Sequence, residues 1–195
     1  MRQSSEVRQE QIKQAVLDII YTEGLKNLST RNLAQRIGLS EGAIFRHFPT
    51  KKSIIFSIIN DVQKDFVGKL RMIATSNEQP QKRLEDLLCF TVKYLTENKG
   101  ITLLLFSEAS HNNDEELKQS LMQIFNTQKK MVSKVILDGI AAAIWDESIP
   151  VENVAMLYMG IPVSLNVELV LNNGALDTNN FCSRMLLLIN KMLMK

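Results

Sequence analysis

A chain of 195 residues can form one ordinary domain, or a small module packed on a larger one. Hydrophobic residues make up 45% and charged residues 23%, which is typical of a chain with a proper core and argues against intrinsic disorder. The net charge of +2 is unevenly distributed, because residues 1–52 hold 9 Lys and Arg against 5 Asp and Glu. A basic N-terminal segment followed by a mildly acidic remainder indicates that the N-terminal segment alone binds a polyanion.

The composition also argues against several classes of protein. With 8 Gly and 4 Pro, the chain has few residues for repeated tight turns, which disfavours a many-stranded β fold. No apolar run approaches the roughly 18 residues that cross a bilayer, and the polar start does not resemble a signal peptide. Cys89 and Cys182 stand far apart in apolar surroundings, so we interpret both as small apolar residues of the interior. We therefore expect a cytoplasmic protein without a membrane partner.

The first part of the chain is predicted to form four helices, over residues 12–20, 30–37, 41–47 and 51–73. Gly24 is placed to end the first helix as a C-cap residue. Ser29, Ser40 and Thr50 precede the next three helices, where their hydroxyl groups can cap free backbone N–H groups.

Five further helices are predicted, over residues 84–95, 101–106, 114–136, 150–171 and 181–192. Residues 107–113 form a polar loop, and Asn113 is placed to cap the helix that follows it. Pro150 suits the opening of the next helix, which is apolar on nearly every side, while Pro162 predicts a local kink within it. The sequence therefore predicts an all-α fold of about nine helices.

Three residues in the second predicted helix, the following turn and the third predicted helix have the spacing of a helix-turn-helix. Ala34 is small enough for the two helices to approach, and Gly38 permits the positive φ of the turn. Ile44 can lock the pair by apolar contact. This spacing alone is a weak signal, because many unrelated helix pairs would satisfy it.

A longer stretch resembles the TetR family of bacterial regulators: LSTRNLAQRIGLSEGAIFRHFPTKKSII, over residues 28–55. It contains a helix opened by Ser and Thr, the Gly-Leu-Ser turn, the pattern aromatic-x-His-Phe, and a lysine after a two-residue gap. The detailed resemblance covers roughly residues 8–60, and beyond them only the count and order of helices agree. It implies a TetR-like fold, with a helix-turn-helix DNA-binding domain over residues 1–50 and a helical ligand-binding and dimerisation domain over residues 51–195.

Several side chains near the third and fourth predicted helices are candidates for contacts with the DNA backbone. Lys51 and Lys52 stand at the start of a helix, where the dipole disfavours cations unless phosphates bind there; otherwise they are solvated surface lysines. The resemblance implies a phosphate contact for His47, whose alternative is ordinary packing. Phe45 stands where this family commonly has Tyr, which leaves both core packing and apolar DNA contact open. Arg46 can reach the backbone or point to solvent.

Base recognition is expected from the second helix and the start of the third. Arg31 suits the O6 and N7 acceptors of guanine, and Glu41 can accept a hydrogen bond from the cytosine amine. Gly42 lacks a side chain and allows a close approach to the groove. The complete predicted DNA-binding set is Thr30, Arg31, Ser40, Glu41, Ala43, Phe45, Arg46, His47 and Lys51.

Enzyme and metal-site interpretations find little support. His111 lies near Glu108 and Asp114, but no second His or Cys stands within ligand spacing, so we interpret it as a solvated loop histidine. The sequence has no glycine-rich phosphate loop and no arrangement typical of a catalytic triad. We expect no enzymatic activity, no metal and no cofactor.

The expected function is that of a homodimeric transcriptional repressor that binds a pseudo-palindromic operator in double-stranded DNA and is released by a small apolar or amphipathic ligand. The predicted ligand-binding residues are Phe66, Phe90, Tyr94, Phe106, Met122, Phe125 and Tyr158; a filled core without a cavity is the alternative. The predicted dimer interface contains Leu157, Ile161, Leu165, Met185, Leu188 and Met192. A rival function is a TetR-like protein that organises the chromosome or answers to a protein partner, without a small-molecule effector.

Overall fold

The computed structural model describes residues 4–98, 101, 104, 114–172 and 180–194. Over these residues all regular structure is helical, as predicted. The chain divides into two compact units, residues 1–64 with 98–122 and residues 65–97 with 123–195, which we call the N-terminal unit and the C-terminal unit. The boundary predicted after residue 50 falls before the helix over 51–61, which is grouped with the N-terminal unit.

The N-terminal unit contains α1 (Ser5–Glu23), α2 (Thr30–Arg36), α3 (Glu41–His47) and α4 (Lys51–Asp61). Gly24 ends α1 as predicted, because its φ of 82° turns the chain while its N–H donates to the Ile20 carbonyl at 3.1 Å. Helix α1 packs against each of the other three helices, and α2 packs against α3. The core between them is formed by fully buried aliphatic side chains, among them Ile12, Ile19, Ile20, Leu33, Ile44 and Ile59.

The remaining helices are α5 (Gly68–Ala74), α6 (Pro80–Glu97), α7 (Glu115–Ala141), α8 (Val151–Leu171) and α9 (Phe181–Leu193). In the C-terminal unit α6 is central, since it packs against α5, α8 and α9. Helix α8 opens after Pro150 and continues through Pro162. The predicted helix over 101–106 and loop over 107–113 fall mostly outside the described residues.

Two predicted features differ from the structure. The single helix expected over residues 51–73 is three elements, because the π-helix Val62–Val67 separates α4 from α5. The cap of α7 is also displaced: the Asp114 carboxylate accepts from the Leu117 N–H at 3.3 Å, whereas the predicted cap, Asn113, lies outside the described residues. An acidic side chain at this position favours the helix, because the N-terminal end of a helix dipole is positive.

Buried polar groups tie α6 to its neighbours in the C-terminal unit. The Tyr158 hydroxyl donates to the Leu84 carbonyl at 2.6 Å in the core. Arg83 is almost completely buried, donates to the Ala74 carbonyl at 2.8 Å, and pairs with Asp138 at 2.8 Å. Burial opposes the ionisation of Asp138, but hydrogen bonds from Lys134 and Arg83 outweigh that effect and hold its pKa below the ordinary value.

The two cysteines are neighbours in space, which their separation in the sequence did not suggest. Cys89 on α6 and Cys182 on α9 are both free and half-buried rather than fully buried as predicted. Burial raises the pKa of the Cys89 thiol to about 12, with a further contribution from its hydrogen bond with Cys182. A thiol with so high a pKa is a poor nucleophile at neutral pH.

Candidate nucleic-acid interface

Helices α2 and α3 and the turn between them are held by local features that the sequence encodes directly. The Ser29 hydroxyl accepts from the Asn32 N–H at 3.1 Å, and the Ser40 hydroxyl accepts from the Ala43 N–H at 3.2 Å. Gly38 takes a φ of 64°, a left-handed value that side chains disfavour. Both helices are therefore capped and set at a fixed angle, as a helix-turn-helix requires.

Apolar contacts then fix which faces of α2 and α3 remain outside. Leu33, Ala34 and Ile44 are buried, in agreement with the helix-turn-helix spacing. The packing leaves one set of predicted DNA-binding residues exposed: Arg31, Ser40, Glu41, Phe45, Arg46 and Lys51. Thr30 and His47 are half-buried.

Ala43 does not fit its predicted role in base recognition. It is 9% exposed and contributes to the interior of the N-terminal unit. Gly42 beside it is exposed, and a Cβ added there would meet nothing within 4 Å. The open position on this face of α3 is therefore Gly42 rather than Ala43.

Phe45 is partly packed and partly exposed, which fits either of the two roles that were left open for it. Its ring is 46% exposed, and its remaining surface helps to line a cavity within the N-terminal unit. An exposed aromatic ring on an otherwise polar surface is available for apolar contact with sugar or a thymine methyl group.

His47 is held by α1, a connection that sequence reasoning missed. The Ser5 hydroxyl lies 3.2 Å from Nδ1 of His47, and the Gln9 side chain donates to the His47 carbonyl at 3.4 Å. A second link joins α1 to α4, where Lys13 forms an ion pair with Asp61. No local motif announces these contacts, because the partners are far apart in the sequence.

The two lysines at the start of α4 have different surroundings. Thr50 and Ser53 form a reciprocal capping box, with hydrogen bonds of 3.0 and 3.2 Å. Lys51 is exposed and forms no ion pair with any described residue. Lys52 instead lies 2.7 Å from the Asp114 carboxylate, and hydrogen bonding with Asp114 raises the pKa of Lys52. The two lysines, which were expected to act alike on phosphates, are thus electrostatically different.

Lys52 has further neighbours that hold it in place. Its ammonium group lies 3.4 Å from Glu116 and 5.2 Å from the centre of the Phe56 ring. Two carboxylates and an aromatic face compete with any external anion for this cation. Asp114, Glu115 and Glu116 follow one another at the opening of α7, but no local pattern in the sequence connects them with α4.

The structure brings together only part of the predicted ligand-binding set. Phe66 is buried and stacks on Tyr94 and Phe90, with ring centres 4.5 and 5.7 Å apart. Tyr158 is buried, and its hydroxyl donates to the protein itself. Met122 is 60% exposed and belongs to the N-terminal unit.

Among the predicted ligand-binding residues that the structure describes, Tyr158 borders a small cavity. A cavity of about 20 Å³ lies beside Tyr158, Met131 and Pro162, which is room for roughly one water molecule. Phe125 is 37% exposed. Phe106 lies outside the described residues. The space beside Tyr158 is thus too small for a ligand.

The predicted dimer residues divide into exposed and buried groups. Leu157, Leu188 and Met192 are exposed, whereas Ile161 and Met185 are half-buried. Leu165 is 2% exposed and packs inside its own unit, which contradicts its expected availability to a partner. On α8 the exposed stripe instead includes Met156, Leu157, Val163, Val167 and Leu171.

Two classes of alternative site find no support in the described part of the chain. Within the described residues no group of three His, Cys, Asp or Glu side chains is placed to hold a metal ion. None of the helices in these same ranges is long and apolar enough to cross a membrane.

Comparison with known proteins agrees with this geometry. Residues 14–58 match the sequence profile of the family described as "Bacterial regulatory proteins, tetR family". A nucleoid occlusion factor SlmA from Marinobacter nauticus is 24% identical over 132 residues, which cover 68% of each chain.

Solved structures share the fold at low sequence identity. The transcriptional regulator FadR from Bacillus subtilis, in complex with stearoyl-CoA, superposes with a TM-score of 0.76 at 17% identity, over 94% of this chain and 98% of that one. The TetR family transcriptional regulator PfmR from Thermus thermophilus gives a TM-score of 0.76 at 17% identity, over 94% and 99%. Over residues 14–58 the helix-turn-helix with its exposed recognition face is thus similar to that of the tetR family of bacterial regulatory proteins, and the fold that carries it is shared with regulators of that family.

Proposed function

We propose that this protein is a homodimeric, sequence-specific transcriptional repressor of the cytoplasm, which a small apolar or amphipathic ligand releases from its operator. The observation that carries the DNA-binding part is the exposed polar face of α2 and α3, flanked by Lys51, which no described residue pairs. A lysine without an ion-pair partner at the start of a helix adds its charge to the positive end of the helix dipole. The lysine and the helix dipole together attract a phosphate group.

Base and backbone contacts then divide between the exposed side chains. Arg31 reads guanine through two acceptors, and Glu41 accepts from the cytosine amine. Lys51 and Arg46 contact phosphates, which position the helices without reading sequence. His47 adds a directed contact: a Ser5 hydroxyl that donates to Nδ1 leaves the hydrogen of a neutral ring on Nε2, which can then donate to a phosphate oxygen.

Dimerisation is proposed through the exposed apolar side chains of α8 and α9. Met156, Leu157, Val163 and Val167 recur at helical spacing on α8, and Leu188 lies exposed on α9. Exposed apolar residues in such continuous stripes mark interaction surfaces. A symmetric dimer places two recognition helices in successive major grooves of a pseudo-palindrome.

The proposed effector site contains the aromatic group of Phe66, Phe90 and Tyr94. Support comes from the fold shared with FadR, whose structure holds stearoyl-CoA. The cavity of about 20 Å³ beside Tyr158 is too small for such a molecule, so an effector that enters there has to displace side chains such as Met131. Methionine is suited to such rearrangement, since its side chain is unbranched and flexible.

A second candidate function has its own support. The relative SlmA carries the name of a nucleoid occlusion factor, and the cavity beside Tyr158, at about 20 Å³, has no room for a ligand. In this case the protein marks chromosomal sites and responds to a protein partner rather than a metabolite.

One experiment separates the two functions. Double-stranded sequences are selected from a random pool with the full-length protein, and binding to the selected site is followed by fluorescence anisotropy while oleoyl-CoA or decanoate is added. Release by either compound supports the repressor. Unchanged operator affinity, with direct binding of neither compound in calorimetry, favours the partner-controlled function.

A variant at the recognition face tests the DNA-binding part separately. Arg31→Ala should relax preference at one base position of the selected site, at a cost of about 1–3 kcal/mol. Absence of any preferred sequence for the wild-type protein would contradict sequence-specific binding altogether.

A further inference from the structure

The N-terminal unit contains an apolar cavity just beneath the DNA-binding face. Its volume is about 200 Å³, roughly ten times that of the cavity beside Tyr158 in the C-terminal unit. Helices α1 to α4 all contribute to its walls, which consist of the buried side chains Val16, Leu28, Leu33, Ile44, Phe48 and Ile54.

The cavity is partly open to the surface of the module, because four residues of its lining, Ser29, Phe45, Thr50 and Lys51, are exposed. An engineered cavity of about 150 Å³ lined by Leu, Ile and Phe binds benzene. The cavity of the N-terminal unit therefore has the volume and the wall chemistry for a single aromatic ring.

The mouth of the cavity differs from its walls, because it is polar and positively charged. Lys51 and Thr30 lie there together with the hydroxyl groups of Ser29 and Thr50. Those two hydroxyl groups accept hydrogen bonds from their own helices and keep their hydrogen atoms for a ligand. Lys52, the next cation, is engaged by Asp114, so the positive charge at the mouth belongs to Lys51.

We propose that this cavity is a binding site for a small aromatic carboxylate, with the ring between α1, α2, α3 and α4 and the carboxylate on Lys51. The carboxylate then occupies the place where a DNA phosphate would contact the same lysine and Thr30. Ligand and operator compete directly for the N-terminal unit, without any change in the C-terminal unit. This competition rests on the proposed DNA-binding function, whereas binding of the ligand does not.

The test uses the full-length protein labelled at the isoleucine methyl groups, with benzoate as the probe. Benzoate should shift the methyl resonances of Ile44, Ile54 and Ile55, which line the cavity, and leave that of Ile136 in the C-terminal unit unchanged. The uncharged isostere benzamide should bind up to about fivefold more weakly, the range expected for an exposed ion pair.

Two variants test the apolar walls of the cavity and the charge of Lys51 separately. Lys51→Gln should remove the preference for benzoate over benzamide but keep the methyl shifts of Ile54 and Ile55. Val16→Leu should fill part of the cavity and weaken both probes while operator binding persists. Because a larger side chain can also disturb the fold, its helical content and thermal midpoint are measured beside those of the wild type, and the Lys51→Gln comparison stands without it.

Competition with DNA supplies the final readout. The apparent Kd for the selected operator should rise linearly with benzoate concentration, with an inhibition constant equal to the Kd from the methyl titration. Shifts at Ile136 alone, or no shifts at the cavity isoleucines, would overturn the proposed site. Methyl shifts without any operator binding would contradict the proposed function and leave the ligand site standing.

Discussion

The contrast between Lys51 and Lys52 gives the sharpest test of how this protein holds DNA. The two residues are adjacent and carry the same charge, yet Lys51 is unpaired among the described residues while Lys52 lies 2.7 Å from Asp114. The variants Lys51→Ala and Lys52→Ala remove the same side chain from neighbouring positions. Each is therefore the matched control of the other.

The expected magnitude follows from counterion release. Each phosphate that a lysine neutralises adds about 0.9 to the slope of log K against log salt, or about 1.8 for the two lysines of a dimer. Between about 50 and 200 mM salt, the wild-type affinity should therefore fall about 12-fold more than that of Lys51→Ala. Lys52→Ala should change the slope little, since the carboxylates of Asp114 and Glu116 already neutralise its ammonium group.

The assay is fluorescence anisotropy on the selected operator and on an unrelated duplex, across a series of salt concentrations. Lys51→Ala should weaken binding to both duplexes alike, because a phosphate contact carries no sequence information. Its thermal midpoint should rise slightly at low salt, since a cation is lost from a helix N-terminus. An equal or larger change of slope for Lys52→Ala, or altered sequence preference for Lys51→Ala, would refute the reasoning.

Three further predictions concern assembly and stability. Leu188→Asp should yield monomers in sedimentation with helical content retained, whereas Leu165→Asp should fail to fold, because Leu165 is 2% exposed within the chain and Leu188 is 53% exposed. Gly139→Ala should lower the free energy of unfolding by about 1–3 kcal/mol in a urea titration, since a Cβ there would overlap the Trp145 ring. The pKa of Asp138 is lowered in the folded state, so the stability that its carboxylate contributes is complete above about pH 4 and is lost as the pH falls through the folded-state pKa. Asp138→Asn should therefore flatten the loss of stability at acid pH. An unchanged dependence of stability on pH would contradict this role of Asp138.

The sequence specified the N-terminal unit in unusual detail because its signals are local. Ser29, Ser40 and Thr50 cap the three helices that follow them, as predicted, and each acts on an N–H group only three residues away. Gly38 permits its turn by its own backbone preference. Such features depend on neighbours along the chain, so a single sequence reveals them.

The faces of α8 could not be read in the same way. Its residues are apolar on nearly every side, so no periodicity marked which of them lie inside. Leu165 was therefore assigned to the dimer surface, although it falls in line with the buried Tyr158 and Leu169. Because α6 packs against one side of α8, the structure shows that Val163 and Val167 belong to the exposed stripe on α8.

Tertiary structure alone decided which polar groups are free to act. Lys52 is engaged because folding carries Asp114 to the start of α4, and the Tyr158 hydroxyl is occupied because α8 packs on α6 at Leu84. The cavity of the N-terminal unit cannot be predicted from the sequence, since a hydrophobic pattern indicates that a side chain is buried but not whether its neighbours fill the space. Pairing and packing join residues distant in sequence, and their geometry is fixed only when all the helices are in place.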